Sequence, residues 1–379
     1  MTLDLRSLVL GSLLAVGFLV LMFVLTLVVP GRKQEGAVLA DGTRRVYKLN
    51  GLAILIVTAL ILGAGQLLHL FTLSVIEDNF LGLFIAANVI SFGASFWLWM
   101  RGKDKPDAHS HAEPKPQIQA DGTAAASTPS MLGAILDLWY GVELNPELFG
   151  VDLKMWAYRP SLIGLAVINA SFAVVQWERD GQLSTAMILY QCFTAIYVFN
   201  YFQFEYGMLY TWDIVAERFG FMLVWGDLAF VPFAYSVVGW YLLDRTEPLS
   251  IFATIALPIM FMTGLWIFRG ANQQKDEFKR DPSVLIWGKP ARTLGGRILV
   301  SGFWGIGRKL NYTGEILVYW SFTLLSGTDS LVPYLLPMWL LGLLTHRAWR
   351  DDKRCREKYG ALWEEYCRKA TFKMIPFVY

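Results

Sequence analysis

The sequence predicts an all-α fold, a polytopic bundle of about nine to ten transmembrane helices with no Rossmann domain. Three observations predict it. Apolar residues make up 55% of the 379-residue chain and charged residues only 17%, whereas soluble domains carry about 25% charged residues. The apolar residues fall in long blocks, each suited to a membrane crossing. Finally, no GxGxxG turn follows a strand pattern, no βαβ pattern exists, and no GKS or GKT phosphate loop is present, so neither dinucleotide domain nor P-loop is expected. A net charge of +2 gives no general argument for nucleic-acid binding. Cys192, Cys355 and Cys367 lack CxxC spacing, so no metal site or disulfide framework is expected.

The blocks lie near 8–29, 51–76, 80–100, 161–177, 184–204, 221–243, 250–268, 315–327 and 331–346. A spanning helix needs about 20 apolar residues, so 315–327 is the shortest candidate. The first block ends in Val29-Pro30-Gly31 rather than a small-residue cleavage site and is expected to stay as a span. Basic residues orient the set. Arg32, Lys33, Arg44, Arg45 and Lys48 follow the first block, Arg101, Lys103, Lys105 and Lys115 the third. Lys154 and Arg159 precede the fourth, and seven lysines and arginines from Arg269 to Arg297 follow the seventh. Nine more lie between Arg347 and Lys373. The opposite turns, 77–79, 178–180 and 244–247, are short. Nine spans put every basic loop on one side, with the N-terminus outside and the C-terminus in the cytosol of a bacterium or of an endoplasmic-reticulum membrane.

Domain organisation follows. Residues 1–100 form three N-terminal helices. Residues 101–130, rich in Pro, Ala, Ser and charge and carrying His109 and His111, read as a flexible cytosolic linker. Residues 131–379 form a second transmembrane region, with the remaining spans and the basic C-terminal tail.

Ionisable groups within apolar helices are expensive and mark cavities or partners. Asn200, Glu205, Asp213, Glu217, Arg218 and Asp227 interrupt the aromatic sequence between 197 and 228. Tyr201 and Glu205 are spaced i, i+4, and Asp227 lies within a span. These, with Asp213, are the candidate catalytic groups, while Glu217 and Arg218 read as an interfacial ion pair. If the last span continues as a helix, Arg347, Asp351, Cys355 and Tyr359 share one face, with His346, Arg350 and Arg354 on the neighbouring stripe. Guanidiniums on such a face suit a phosphorylated cofactor. Residues 268–312 add Lys275, Lys279, Arg280, Arg308 and Lys309 and a glycine- and aromatic-rich turn from Ser301 to Gly307.

At these blocks the chain resembles the sterol reductase family, which includes the Δ14, Δ7 and Δ24(28) sterol reductases and the membrane half of the lamin B receptor. The resemblance rests on PGRKQEGAVLADGTRRVYKLNG (30–51), LNPELFGVDLKMWAYRP (144–160), TWDIVAERFGFMLVWGDLAFVPFAYS (211–236), SGFWGIGRKLNY (301–312) and the C-terminal THRAWRDDKRCREKYG block. It implies an NADPH-dependent reductase of a carbon–carbon double bond in a sterol or related isoprenoid lipid. It also implies a cofactor pocket in the C-terminal half. Position by position, the family's cofactor motifs fall on Lys275, Leu299, Trp304, Asn311, Tyr312, Asp351, Cys355 and Tyr359. Arg308 and Arg347 join them as phosphate-binding candidates, as does Lys279, which stands where the family commonly has Arg.

The chain departs from the family near the expected substrate. Asn200 replaces an Asp, Phe204 a His, Tyr206 a Glu and Tyr210 a Thr, and Val238-Gly239 replaces a Leu-Gln pair. The C-terminal block is also similar to isoprenylcysteine carboxyl methyltransferases. An S-adenosylmethionine-dependent methyltransferase and a non-catalytic sterol-binding scaffold are therefore the alternative readings. For a reductase the chemistry sets the roles: an isolated alkene must be protonated as hydride arrives. Tyr201 and Glu205 are the expected proton donor and relay, with Asp213 and Asp227 orienting them.

Overall fold

The computed structural model describes residues 4–38, 42–105, 131–245, 247–376 and 378. The chain folds as helices joined by short antiparallel hairpins, in two units. The first comprises Met1–Leu183 and Thr194–Leu243, the second Ser184–Phe193 and Asp244–Tyr379. Most of the expected linker, residues 106–130 with both its histidines, lies outside the described residues.

The first unit opens with α1 (Leu5–Val28), capped by the Asp4 carboxylate, which accepts the Ser7 N–H at 2.7 Å. Leu5, Val9, Leu13, Val16, Val20 and Val24 form an exposed stripe along it, the face a lipid-bathed helix turns to the bilayer. A hairpin of β1 (Arg32–Val38) and β2 (Arg44–Leu49) leads to α2 (Gly51–Leu67). The predicted span 51–76 is shorter than expected. Its helix ends at Leu67, and Ser74–Asp78 forms a separate short helix, α3. Next comes α4 (Phe80–Gly102), packed tightly on α1. A Cβ on Gly11 would collide with the backbone of Gly82 and Leu83, and one on Gly82 with the Ser7 carbonyl. Without side chains at these points the two backbones approach closely, as membrane helices do in the absence of a hydrophobic drive.

After α5 (Met131–Tyr140), a two-residue turn joins β3 (Glu147–Leu148) to β4 (Val151–Asp152), and Asp152 caps α6 (Leu153–Asp180) through the Met155 N–H at 2.8 Å. The helix runs eight residues earlier than the expected span 161–177. Lys154 and Arg159, read from sequence as loop charges, are therefore inside it and only 1% and 2% exposed. Next, α7 (Thr185–Gln203) ends in a 3₁₀ turn, Glu205–Tyr210, followed by α8 (Trp212–Val215). The span expected at 221–243 is one apolar rod with an internal irregularity: α9 (Phe221–Trp225), a π-helical stretch Gly226–Ala234, and α10 (Val237–Leu242). Pro232 has no N–H to give the ladder, and π segments often mark functional positions.

In the second unit α11 (Ile251–Arg280) is capped by Ser250 and continues well past the apolar stretch. Two small hairpins follow, β5 (Leu285–Ile286) with β6 (Lys289–Pro290) and β7 (Thr293–Leu294) with β8 (Ile298–Leu299). Then come α12 (Phe303–Ile306), α13 (Leu310–Leu324), α14 (Leu335–Tyr359) and α15 (Ala361–Lys369). Gly264 and Gly314 let α11 and α13 touch backbone to backbone. Phe193, Phe261 and Phe322 form the aromatic centre, the first two stacked at 4.4 Å and 2°.

All nine apolar stretches thus contain helix, and among the described residues five helices are long and apolar enough by themselves to cross a membrane. Among the described residues the strands form four two-stranded antiparallel ladders and no parallel sheet. The protein is an all-α polytopic membrane protein, with no Rossmann domain among the described residues.

Candidate functional site

The second unit brings together most of the residues expected to hold a nucleotide. The helix α14 does continue beyond the apolar stretch, and Arg347, Asp351, Cys355 and Tyr359 all face inward along it, half-buried. His346, Arg350 and Arg354, the neighbouring stripe, are exposed. Asp351 makes an ion pair with Lys309 and a second one with Arg354 at 2.8 Å. The Cys355 Sγ lies 3.9 Å from the same carboxylate. From α11, Lys275 lies within electrostatic reach of Lys309, Lys279, Asp351 and Cys355. Its Nζ stands over the Trp304 ring, 4.6 Å from the centroid. Trp304 is fixed from both sides. Its Nε1 donates to the Ala271 carbonyl at 2.7 Å, and its own carbonyl accepts the Tyr366 hydroxyl at 2.9 Å. Leu299 is buried against Phe278, Ile286 and Trp304 and forms the apolar backing.

The charge balance at this point is informative. Lys275 and Lys309 stand near one carboxylate, Asp351, and Lys279 lies within electrostatic reach of Lys275. Like charges held together repel, so the arrangement suits a ligand with several negative charges. Asn311 supplies a second sign of fit. Its Nδ2 donates to Asn272 Oδ1 at 3.2 Å, while its Oδ1 is buried with no donor among the described residues. Tyr312 lies beside Lys309, with Nζ 5.9 Å from the ring centroid. Tyr359 carries Arg297 and Lys358 against its ring, each at 5.3 Å, and stacks on Trp363. Lys279 is exposed at the end of α11. Arg308 is occupied differently: its Nη1 donates to the Ala370 carbonyl at 2.8 Å, and Nε lies 3.7 Å from Asp352. Its present contacts tie the C-terminal segment to α13.

The candidate acid groups belong to the first unit. Glu205, 5% exposed, accepts the Arg159 guanidinium at 3.2 Å on Oε1 and the Gly51 N–H at 2.9 Å on Oε2. Burial raises its carboxyl above the ordinary range, with Arg159 opposing the shift. The Tyr201 hydroxyl lies 2.6 Å from Met208 Sδ, and its ring packs near Tyr158 and Phe202 at 6.2 and 5.7 Å. The Tyr158 hydroxyl in turn meets Asp213 Oδ2 at 3.4 Å. Asp227 projects from the π-helical stretch, buried, within electrostatic reach of Asp213 and Lys154. Lys154 donates to the carbonyls of Ile214 and Glu217 at 3.1 and 2.6 Å, closing the segment on α6.

Sequence reasoning missed Arg159, Tyr158 and Lys154 here, and in the second unit it missed Lys309 as the partner of Asp351. The first three lie in the 144–160 block, whose charges were counted only as loop charges. Their signal was the cap residue Asp152 followed by LKMWAYR, which holds no turn residue before Pro160. An apolar hollow of about 300 Å³ also lies in this unit, among α1, α4, α6 and the π-helical stretch. None of Tyr201, Glu205, Asp213 or Asp227 lines it.

Residues 11–379 match the Ergosterol biosynthesis ERG4/ERG24 family. The Delta(14)-sterol reductase of Arabidopsis thaliana is 39% identical over 374 residues, covering 98% of this chain and 97% of that protein. Delta(14)-sterol reductase TM7SF2 of Mus musculus is 36% identical, covering 92% of this chain and 81% of its own length. The Delta(14)-sterol reductase of Methylotuvimicrobium alcaliphilum is 33% identical, over 92% of this chain and 79% of its own. With a match that runs almost from end to end, the chain belongs to the Ergosterol biosynthesis ERG4/ERG24 family.

Proposed function

We propose that this protein reduces a carbon–carbon double bond, that at Δ14 first among them, in a sterol or closely related isoprenoid lipid, using NADPH. The observation that carries the cofactor reading is the cluster of Lys275, Lys279 and Lys309, with Asp351 against Lys275 and Lys309, together with the unsatisfied Asn311 Oδ1. The names of the relatives support the substrate class. The basic loops support a cytosolic C-terminus, and either an endoplasmic-reticulum or a bacterial inner membrane fits the sources of the relatives.

Bound NADPH would supply the hydride for one alkene carbon. Lys275, Lys279 and Lys309 would hold its phosphates, Asn311 Oδ1 would accept a hydrogen bond from it, and Trp304, Leu299, Tyr312 and Tyr359 would wall it. Arg347, Asp351 and Cys355 line the same face. The other alkene carbon needs a proton. Tyr201 is the proposed donor. Glu205, held by Arg159 and Gly51, sets the end of α7 from which Tyr201 projects, and Asp213 follows through Tyr158. Asp227 supports Asp213. The product would gain one hydride and one proton, which balances the reduction.

Thermal unfolding with NADPH against S-adenosylmethionine tests this reading. Stabilisation by NADPH alone is expected, whereas preferential stabilisation by S-adenosylmethionine would establish the methyltransferase alternative instead. A protein that responds to neither and turns over no sterol would be a scaffold.

A further inference from the structure

A polar hollow of about 160 Å³ opens in the first unit, beside the C-terminal end of α1 and the N-terminal end of α6. Its wall includes Arg45, Tyr47, Lys48, Glu147, Asp152 and Arg159, none of which the proposed reaction uses as a reacting group. Two donors there have no partner among the described residues: the Tyr47 hydroxyl and Arg159 Nε. Their residues are 5% and 2% exposed. Buried donors without acceptors are rare and costly. Burial pushes the Tyr47 hydroxyl well above its ordinary range, and Asp152 adds to the shift, so the group keeps its proton. Lys48 gives two hydrogens to the carbonyls of Thr26 and Leu27, at 3.2 and 3.0 Å, and has a third to offer.

The hollow also carries negative charge. Arg45 pairs with Glu147 at 2.7 Å and lies 3.9 Å from Asp152. Asp152 is engaged by the Met155 N–H and by Asn145 Nδ2 at 3.1 Å, while Glu147 remains half exposed. Counting Glu205 behind Arg159, three cations face three carboxylates. A simple anion gains little from such a balance, whereas a zwitterion finds both of its charges matched.

The depth of the site follows from Phe149. It sits at the tip of the β3–β4 hairpin with φ +50°, followed by Gly150 at +75°. A bulky residue in the left-handed region is strained, and this one is 80% exposed. Its ring meets the edge of Phe23 at 6.4 Å, little more than one turn inside the end of α1 at Val28. The tip therefore lies where acyl chains meet headgroups, the level aromatic anchors occupy.

We propose that this hollow binds the headgroup of a zwitterionic membrane phospholipid bearing a primary ammonium, as in phosphatidylethanolamine. Its phosphodiester accepts from Tyr47, Lys48 and Arg159, its ammonium donates to Glu147, and Phe149 marks the acyl border.

The test uses the full-length protein, delipidated in detergent. Thermal unfolding is followed with dioleoylphosphatidylethanolamine, dioleoylphosphatidylcholine or sodium phosphate. The ethanolamine lipid is expected to raise Tm by about 3 °C near saturation, and the choline lipid less, because its trimethylated nitrogen has no hydrogen to donate. Tyr47→Phe removes one hydroxyl, and Phe149→Gly relieves the left-handed strain, so both variants keep the fold. Each should reduce the shift by half or more, and Glu147→Gln should bring the two lipids level. Absence of a lipid shift in the parent protein, or equal shifts in parent and variants, would overturn the proposal. So would a Tyr47-dependent shift of the same size with sodium phosphate alone, which would mark a free-anion site.

Discussion

At the scale of residues, a few charges carry the account. Replacing Tyr201 with Phe should lower turnover at least about 100-fold, the usual contribution of a positioned acid, with NADPH affinity unchanged in a binding titration. Unchanged turnover would remove Tyr201 as the donor. Lys275→Met keeps the stem against Trp304 and removes one of three neighbouring positive charges. The apoprotein should melt no lower than the parent, because repulsion is relieved, while the dissociation constant for NADPH rises about tenfold. A lysine with only a structural role would show the reverse pattern. Arg159→Met leaves Glu205 buried with the Gly51 N–H as its remaining partner among the described residues, and should destabilise by about 3 kcal/mol or more in denaturant titration. The α14 face was legible because four residues recur at helical spacing. The pairing of Lys309 with Asp351 was not, because 42 residues separate them and only tertiary packing joins them. Lys154 and Arg159 were misread for a related reason: composition reports their charge and says nothing of the carbonyls and the carboxylate that accept it inside the fold.

At the scale of elements, hydropathy located all nine stretches, since a bilayer rewards uninterrupted apolar runs and punishes unsatisfied backbone. It placed their ends less well. The α6 helix starts at the Asp152 cap rather than at the first apolar residue, α2 stops at Leu67, and the π-helical stretch around Asp227 leaves no mark in composition. Close helix contacts were also hidden, because a glycine in a span looks the same whether it faces lipid or another backbone. Two glycines of α4 separate these cases. Gly82→Val should cost about 1–3 kcal/mol and lower the yield of folded protein, since its Cβ meets the Ser7 backbone. Gly93→Ala, where a Cβ meets nothing within 4 Å, should melt with the parent. Equal effects at the two positions would contradict the packing of α1 on α4.

At the scale of the whole molecule, family membership and the all-α membrane fold agree with the reading from sequence, and the distribution of charge adds an orientation to be measured. With Cys192, Cys355 and Cys367 replaced by Ala and the protein expressed in a bacterial inner membrane, a cysteine at Asp78 should react with an impermeant maleimide from the periplasmic side of intact cells. One at Lys33 should react only after permeabilisation. The opposite pattern would invert the topology. The central claim concerns chemistry, and one measurement addresses it directly. The purified protein in lipid nanodiscs is given NADPH deuterated at the transferable position and a panel of Δ7, Δ14 and Δ24(28) sterols, and products are read by mass spectrometry. The account predicts reduction of the Δ14 sterol, with one deuterium from the cofactor and one hydrogen from solvent in the product. Absence of a reduced sterol, or a product without the cofactor's deuterium, would contradict it.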